Sequence, residues 1–502
     1  MNSDALTHIV IAGGGSAGWM TAAMLASQLQ GNVKITLVES DDIGTIGVGE
    51  ATIPPIKRFN AMLGIDENDF LARCNGSIKL GIQFENWGAV GERYFHQFGR
   101  FGADFDYIPF PYFYLKARLQ GLNTPIEQFS AAWQLASRNK FVPPNNDPRS
   151  LFSGYDYAYH FDAGRYARFL RDYATERGVI RTEGKIASVQ QHAHNGFISE
   201  LLLDDGRVLA GDFFIDCTGL RSVLLGQTLG VGFIDWGDYL LNDRAVAMQT
   251  SADPTLRPYT RSIAHHAGWQ WRIPLQTRTG NGNVYSSRYM SDDEATHLLQ
   301  QSVDGKALTE PRLIRFNTGR RAQFWQKNCV AIGLSAGFLE PLESTSLHLI
   351  QRGIMRLVSL FPSAGCAEED INEYNSATQL EYEQIRDFIV LHYHATARDD
   401  SPYWQYCQQM AIPDSLQQKL ALFKRHGHLR IEDKELFKQD SWLAVLLGQN
   451  ILPAAAAPIT QLKTELDVQR TLQAMQRHLA DTAATLTGHE HYLMQHCRFV
   501  PD

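Results

Sequence analysis

The chain has 502 residues, 44% of them hydrophobic and 11% aromatic, with 40 Gly and 19 Pro, enough to bury a large core and unlike a disordered or collagen-like polymer. Its 46 Lys and Arg against 54 Asp and Glu give a formal charge of −8, so nucleic acid is not expected as a partner. Cys74, Cys217, Cys329, Cys366, Cys407 and Cys497 are far apart, with neither a C-x-x-C pair nor metal-ligand spacing, so no metal is expected and the thiols read as reduced, in a cytoplasmic setting.

In chain order, an apolar run, Ile9-Val10-Ile11-Ala12, breaks into Gly13-Gly14-Gly15-Ser16-Ala17-Gly18 and continues as an Ala-, Met- and Leu-rich helix over 19–30. A second β-branched run over 33–38 ends at Glu39, so the spacing predicts a βαβ crossover. G-x-G-x-x-G has a physical meaning in that setting. Gly13 permits the tight turn, Gly15 lets the backbone approach a pyrophosphate, and Gly18 lets the helix pack on the strand, with Ser16 and Ala17 in the turn whose amides face the phosphate. Glu39 is placed to accept hydrogen bonds from a ribose, and its charge disfavours a 2′-phosphate, which selects FAD or NAD over NADP.

Further along, a strand over 157–161, an N-cap at Asp162 and a helix over 164–176 are predicted. Strands over 186–189, 198–203 and 213–217 follow, with Asn195-Gly196 and Asp205-Gly206 as hairpin turns. From about Ala367 the composition turns to Gln, Leu, Ala and charged residues, and the remainder reads as helical. No apolar run approaches the roughly 18 residues of a membrane span, and 1–7 lack the basic and apolar regions of a signal peptide, so neither membrane insertion nor export is expected.

Two segments favour FAD over NAD. The run 211–219 (GDFFIDCTG) resembles the strand and turn that recur in flavin-dependent hydroxylases, and Val330-Ala331-Ile332-Gly333 resembles their late strand. Those enzymes usually follow with an Asp on the ribityl chain; this chain has Leu334, so ribityl contacts must come from elsewhere. The segment 268–274 (GWQWRIP) carries W-x-W-x-I-P. Together with GGGSAGWM at 13–20, GVGEATIP at 47–54, Ile78-Lys79-Leu80-Gly81 and FLEPLEST at 338–345, it makes the chain, from residue 8 to beyond 440, resemble the flavin-dependent halogenases of the tryptophan halogenase family.

That resemblance implies an α/β fold: an FAD-binding, Rossmann-type domain like that of flavin monooxygenases, with mixed sheets and a mainly helical C-terminal region. Residues 1–365 would form the FAD-binding and catalytic module with an interleaved substrate-binding sheet, and 366–502 a helical subdomain covering the substrate pocket. It implies FADH2 supplied in trans by a separate NAD(P)H-dependent flavin reductase, O2 and chloride or bromide as reactants, and hypohalous acid made at the flavin. A lysine then presents the electrophilic halogen, by hydrogen bond or as a haloamine, to indole or another electron-rich aromatic, and a carboxylate positions it; Lys79 and Glu343 match these two.

The same resemblance gives flavin contacts to the glycine loop with Gly49, Ala51, Ile186, Leu334 and Leu347, and a gating role near the flavin to Trp269, Trp271, Ile273 and Pro274. Halide falls to the amides of Thr345 and Ser346, where a turn enters a helix, although family members commonly have Gly in place of Ser346. Substrate contacts fall to His96, Phe98 and Ser344. Taken alone, Lys79 is a surface strand lysine, Glu343 a helix-start carboxylate, Ser344 or Thr345 an N-cap, the tryptophan pair one face of a half-buried strand, and His96 a core histidine. His265-His266, His392-x-His394 and His489-Glu490-His491 form no metal motif and read as structural or exposed.

Family members acting on free tryptophan grip its amino and carboxylate groups with tyrosines and a glutamate in the C-terminal helices. That set is not found in 441–450 or 453–458, and the tail resembles the branch that accepts free indole. Two other functions stay open at this point, an aromatic hydroxylase and a non-catalytic flavin-binding protein, as does a homodimeric assembly.

Overall fold

The computed structural model describes residues 5–43 and 51–501. The strand His8–Ala12 lies inside a parallel sheet, between Lys34–Glu39 on one side and Phe213–Asp216 on the other. Ile180–Glu183 and Cys329–Ala331 extend the sheet outward, and Trp325–Gln326 closes one edge antiparallel. Ile9 to Ala12 are apolar and buried on both faces, as parallel strands covered by helices must be. The helix Ser16–Leu29 packs on Ala163–Thr175 and Ser346–Ser359. It begins three residues before the predicted Trp19, because Gly15 takes the N-cap position.

Asp162 caps its helix as predicted, its carboxylate accepting the Arg165 N–H at 2.9 Å. The strands Ile186–Gln191, Ile198–Leu203 and Val208–Ala210 form a separate antiparallel sheet. Its two turns use Gly196 at φ 68° and Gly206 at φ 89°, which only glycine adopts at low cost.

The second large sheet has seven strands, in the order Arg312–Arg315, Arg244–Ser251, Arg278–Tyr285, Gly268–Pro274, Thr260–His265, Gly81–Glu85, Arg93–Gln97. All neighbours are antiparallel except Thr260–His265 and Gly81–Glu85, which run parallel with Ile82 opposite Thr260. Just upstream, Ser77–Lys79 pairs, among the described residues, only with Ala158–His160. From Glu368 onward the regular elements are helical: Glu368–His394, Pro402–Gln409, Asp414–His426, Gln439–Gly448, Glu465–Thr485 and His489–His496, with one short 3-10 turn. Gln439–Gly448 lies on the strand Arg93–Gln97, with Gly448 against the Tyr94 ring where a Cβ would collide. This is a mixed α/β fold with a Rossmann-type nucleotide-binding sheet and a helical C-terminal region, as the sequence predicts. No helix among the described residues is long and apolar enough to cross a membrane.

Candidate active site

A cleft of about 790 Å³ opens at the C-terminal ends of the central parallel strands. Gly13 there has φ 109°, and a Cβ on it would strike the Cys217 carbonyl; one on Gly18 would strike the Gly13 carbonyl. Gly15 caps the helix without a side-chain acceptor, which leaves the first-turn amides available to an anion. Glu39, at the end of the second strand, accepts from Trp19 Nε1 at 3.2 Å and pairs with Arg181 at 2.6 Å. The cationic side chains of Arg168, Arg171, Lys185 and Arg221 also line the cleft, and nothing in the sequence singled them out. A donor-rich glycine loop, a cationic wall and a carboxylate at the ribose end fit a flavin dinucleotide. Ser16, Ala17, Ile186, Leu334, Ser346 and Leu347 share the lining. Gly18 sits behind the loop; Ala51 bridges to His160 rather than lining the cleft. Gly49 lies outside the described residues.

Lys79 is fully buried, and its Nζ donates to Ser344 Oγ at 2.8 Å and stands 5.2 Å from the Phe98 ring centre. Burial pulls its pKa from 10.5 down to about 7, against the opposing pull of the Glu343 charge. Ser344, at φ 58°, is the left-handed link between the turn Pro341–Glu343 and the helix Ser346–Ser359. Glu343 is equally buried, hydrogen-bonded to His96 and faced by His392. His96 Nδ1 lies 2.9 and 3.0 Å from its two oxygens, and His392 Nε2 lies 2.8 Å from Oε1. Burial pushes the Glu343 carboxyl up, but the two imidazoles outweigh it and hold the pKa at about 2. His392 Nδ1 donates to the Phe388 carbonyl at 2.8 Å, which leaves Nε2 as the nitrogen facing Glu343.

Aromatic rings surround this group. Phe388 and Phe437 stack at 3.9 Å, and both lie against His96, at 5.7 and 6.0 Å. Trp442 meets Phe388 edge-on at 5.2 Å.

Trp269 and Trp271 share one face of their strand, ring centres 6.1 Å apart. Trp271 lines the cleft, while Trp269 Nε1 donates to buried Glu340 Oε2 at 3.0 Å, so the pair runs from the cleft wall toward the Glu343 turn. Ile273 and Pro274 are buried further along; the Pro274 carbonyl accepts from Ser77 Oγ at 2.6 Å and so anchors the strand of Lys79. Thr345 occupies the N-cap position of Ser346–Ser359, but its side chain makes no capping bond and its Oγ1 is buried without a partner. Thr345 is thus the N-cap by position and not by its side chain: the Ser344 hydroxyl accepts from Lys79, Thr345 Oγ1 has no partner among the described residues, and neither hydroxyl caps the first amides of the helix.

His392 is the residue that sequence reasoning undervalued. Read as structural or exposed, it is fully buried against Glu343, and no local signal marks it, because its role comes from a contact between a turn and a distant helix. His265, bonded to Gln270 Oε1 at 3.1 Å, keeps its structural reading.

The tryptophan halogenase family model matches residues 8–465. Tryptophan 6-halogenase SttH of Streptomyces toxytricini is 35% identical over 520 residues, spanning 96% of this chain and 97% of that protein. Among solved structures, Xcc4156, a flavin-dependent halogenase from Xanthomonas campestris, superposes with TM-score 0.95 at 46% identity, covering 99% of this chain and 100% of that one. BrvH, a flavin-dependent halogenase from Brevundimonas sp. BAL3, gives 0.94 at 43%, covering 98% and 99%.

Proposed function

Since the chain belongs to the tryptophan halogenase family, and is a flavin-dependent halogenase, we propose that it delivers hypohalous acid to an indole or similar electron-rich ring through Lys79. The observation that carries this reading is the buried amine itself, hydrogen-bonded to Ser344 and held near neutrality beside an ionised Glu343. Bound in the cleft as FADH2, the flavin supplies the redox chemistry by which O2 and halide become hypohalous acid. The chain's own residues act around that event. The open amides at Thr345 and Ser346 hold chloride or bromide at the positive end of a helix. Trp271 and Trp269 fill the way from the cleft, so an aromatic substrate cannot reach the flavin directly.

Lys79 then receives the electrophilic halogen, and Glu343, fixed by His96 and His392, stabilises positive charge developing on the ring. Phe98 and His96 would bound the substrate, with Phe388 and Phe437 of the C-terminal region packed on the His96 ring. A separate flavin reductase and a cytoplasmic setting complete the reading, since one G-x-G-x-x-G loop serves the flavin and no second such loop is visible for NAD(P)H. The hydroxylase and non-catalytic alternatives are not favoured.

The test is mass spectrometry of an indole and aryl panel incubated with reductase, FAD, NADH and chloride or bromide. Halogen mass is expected in the products. Lys79→Ala is expected to form none enzymatically while FADH2 oxidation and hypohalous acid formation continue; near wild-type halogenation by that variant removes the lysine from the mechanism.

A further inference from the structure

The strand that ends in Lys79 is three residues long, and backbone serves one of its edges only in part. Downstream, Ile82 stands opposite Thr260 in a parallel ladder, and one step back the Leu80 N–H donates to the Pro258 carbonyl at 2.8 Å. The same register would next join the Ile78 N–H to the Leu256 carbonyl. The His489 ring stands between them instead: the Ile78 N–H donates to His489 Nε2 at 3.2 Å, and His489 Nδ1 donates to the Leu256 carbonyl at 2.9 Å. A carbonyl only accepts, so Nδ1 carries the hydrogen and Nε2 the lone pair. Burial, against the Leu256 hydrogen bond, pulls the His489 pKa to about 4 and so preserves this neutral tautomer.

Ile78 and His489 are both fully buried, so in the intact protein the Ile78 N–H depends on the ring as its acceptor. His489 is itself fixed. It opens the helix His489–His496, its N–H donates to the Asn139 carbonyl at 2.8 Å, and the Phe141 N–H donates to Thr487 at 3.0 Å. The Gln276 amide ties the Gly76 carbonyl, just before the strand, to Cys497 of the same tail at 2.6 and 3.0 Å.

Resting on the assignment of halogen delivery to Lys79, we propose that His489 is a positioning residue for that lysine: its imidazole completes the backbone ladder at Ile78 and thereby fixes Lys79 Nζ against Ser344 and Glu343. An ångström of misplacement at a reacting group costs on the order of 10²-fold in rate. Formation of hypohalous acid at the flavin does not use this strand. Loss of the ring as acceptor therefore uncouples the two halves of the reaction, and the acid escapes unused.

Two amides separate the roles of the two ring nitrogens. In His489→Asn the amide reaches the Nδ1 position, keeping the donation to Leu256 and losing the acceptor for Ile78; in His489→Gln the amide oxygen reaches the Nε2 position and accepts from Ile78. Each variant is given reductase, FAD, NADH, halide and indole, and halogenated indole is counted per FADH2 oxidised, with free hypohalous acid captured by a 1,3-diketone. Free FADH2 also oxidises in air without making hypohalous acid, so the ratio is compared at equal concentrations of folded enzyme, in excess over the FADH2 generated. The Asn variant is expected to lose about tenfold or more of the ratio, with captured acid rising to match, and the Gln variant to stay within about threefold of wild type. Equal ratios for the two variants, both high or both low, overturn the proposal. Lys79→Ala run in parallel keeps the readings apart: if it halogenates at the wild-type ratio, the lysine assignment fails whatever the His489 pair does.

Discussion

In the proposed role, the buried amine of Lys79 could hold an electrophilic halogen in either of two ways, and pH separates them. With its pKa lowered to about 7, the neutral amine prevails above that pH and the ammonium below it. Burial favours the amine, whose lone pair can take the halogen, so product formed per FADH2 oxidised is expected to rise as pH passes upward through about 7. A ratio that falls over the same range assigns the work to the ammonium as a hydrogen-bond donor. The contribution proposed for Glu343 is charge rather than shape: both imidazoles face its oxygens, and its pKa of about 2 keeps it ionised throughout that range. Glu343→Gln keeps the volume and loses the charge, so the halogenation rate at saturating indole is expected to fall by about 10²–10³. An unchanged rate would make the carboxylate a structural anchor for His96 and His392.

At the scale of the element, the first βαβ unit depends on close backbone approach. A Cβ on Gly18 would collide with the Gly13 carbonyl, which is backbone and cannot swing aside, so the helix Ser16–Leu29 would have to shift from its loop. Gly18→Ala is expected to destabilise the fold by about 1–3 kcal/mol, as overpacking does, and to weaken flavin binding at least tenfold. Thermal unfolding and a fluorescence titration with FAD check both; wild-type values for Tm and Kd refute the collision. That unit was readable in the sequence because all its determinants are local: glycine spacing, apolar runs and a distal acid. The Asp162 cap and the two Gly-containing turns of the small antiparallel sheet were readable for the same reason.

Across the whole molecule, the helical C-terminal region packs Phe388 and Phe437 on His96, with Trp442 edge-on to Phe388, and the proposal puts the substrate beside these rings. Rings recognise a ring, each stacked pair contributing about 0.5–1.5 kcal/mol beyond area burial. The charged ends of free tryptophan would lose hydration there without a recognised clamp to replace it. A higher kcat/KM is therefore expected for indole than for tryptophan, with halogen at the electron-rich C3 if the ring is held loosely. Equal concentrations of the two in competition, read by mass spectrometry, check this; a dominant tryptophan product halogenated on the benzo ring contradicts it.

The sequence by itself determined the nucleotide half and the family. Gly13, Gly15, Gly18 and Glu39 act through spacing along one βαβ unit, and W-x-W-x-I-P with the Lys79 and Glu343 segments are contiguous strings. Only the tertiary structure decided what those side chains touch. His392 reaches Glu343 from a long helix, and His489 reaches the strand of Lys79 from the final one, across most of the chain. Arg168 and Arg171 from one helix, Lys185 from the link between two strands and Arg221 from a distant 3-10 turn meet at the cleft. The physical reason is that burial and pairing, which set a histidine's tautomer and a lysine's charge, belong to the packed interior: they arise between elements whose meeting no local pattern encodes.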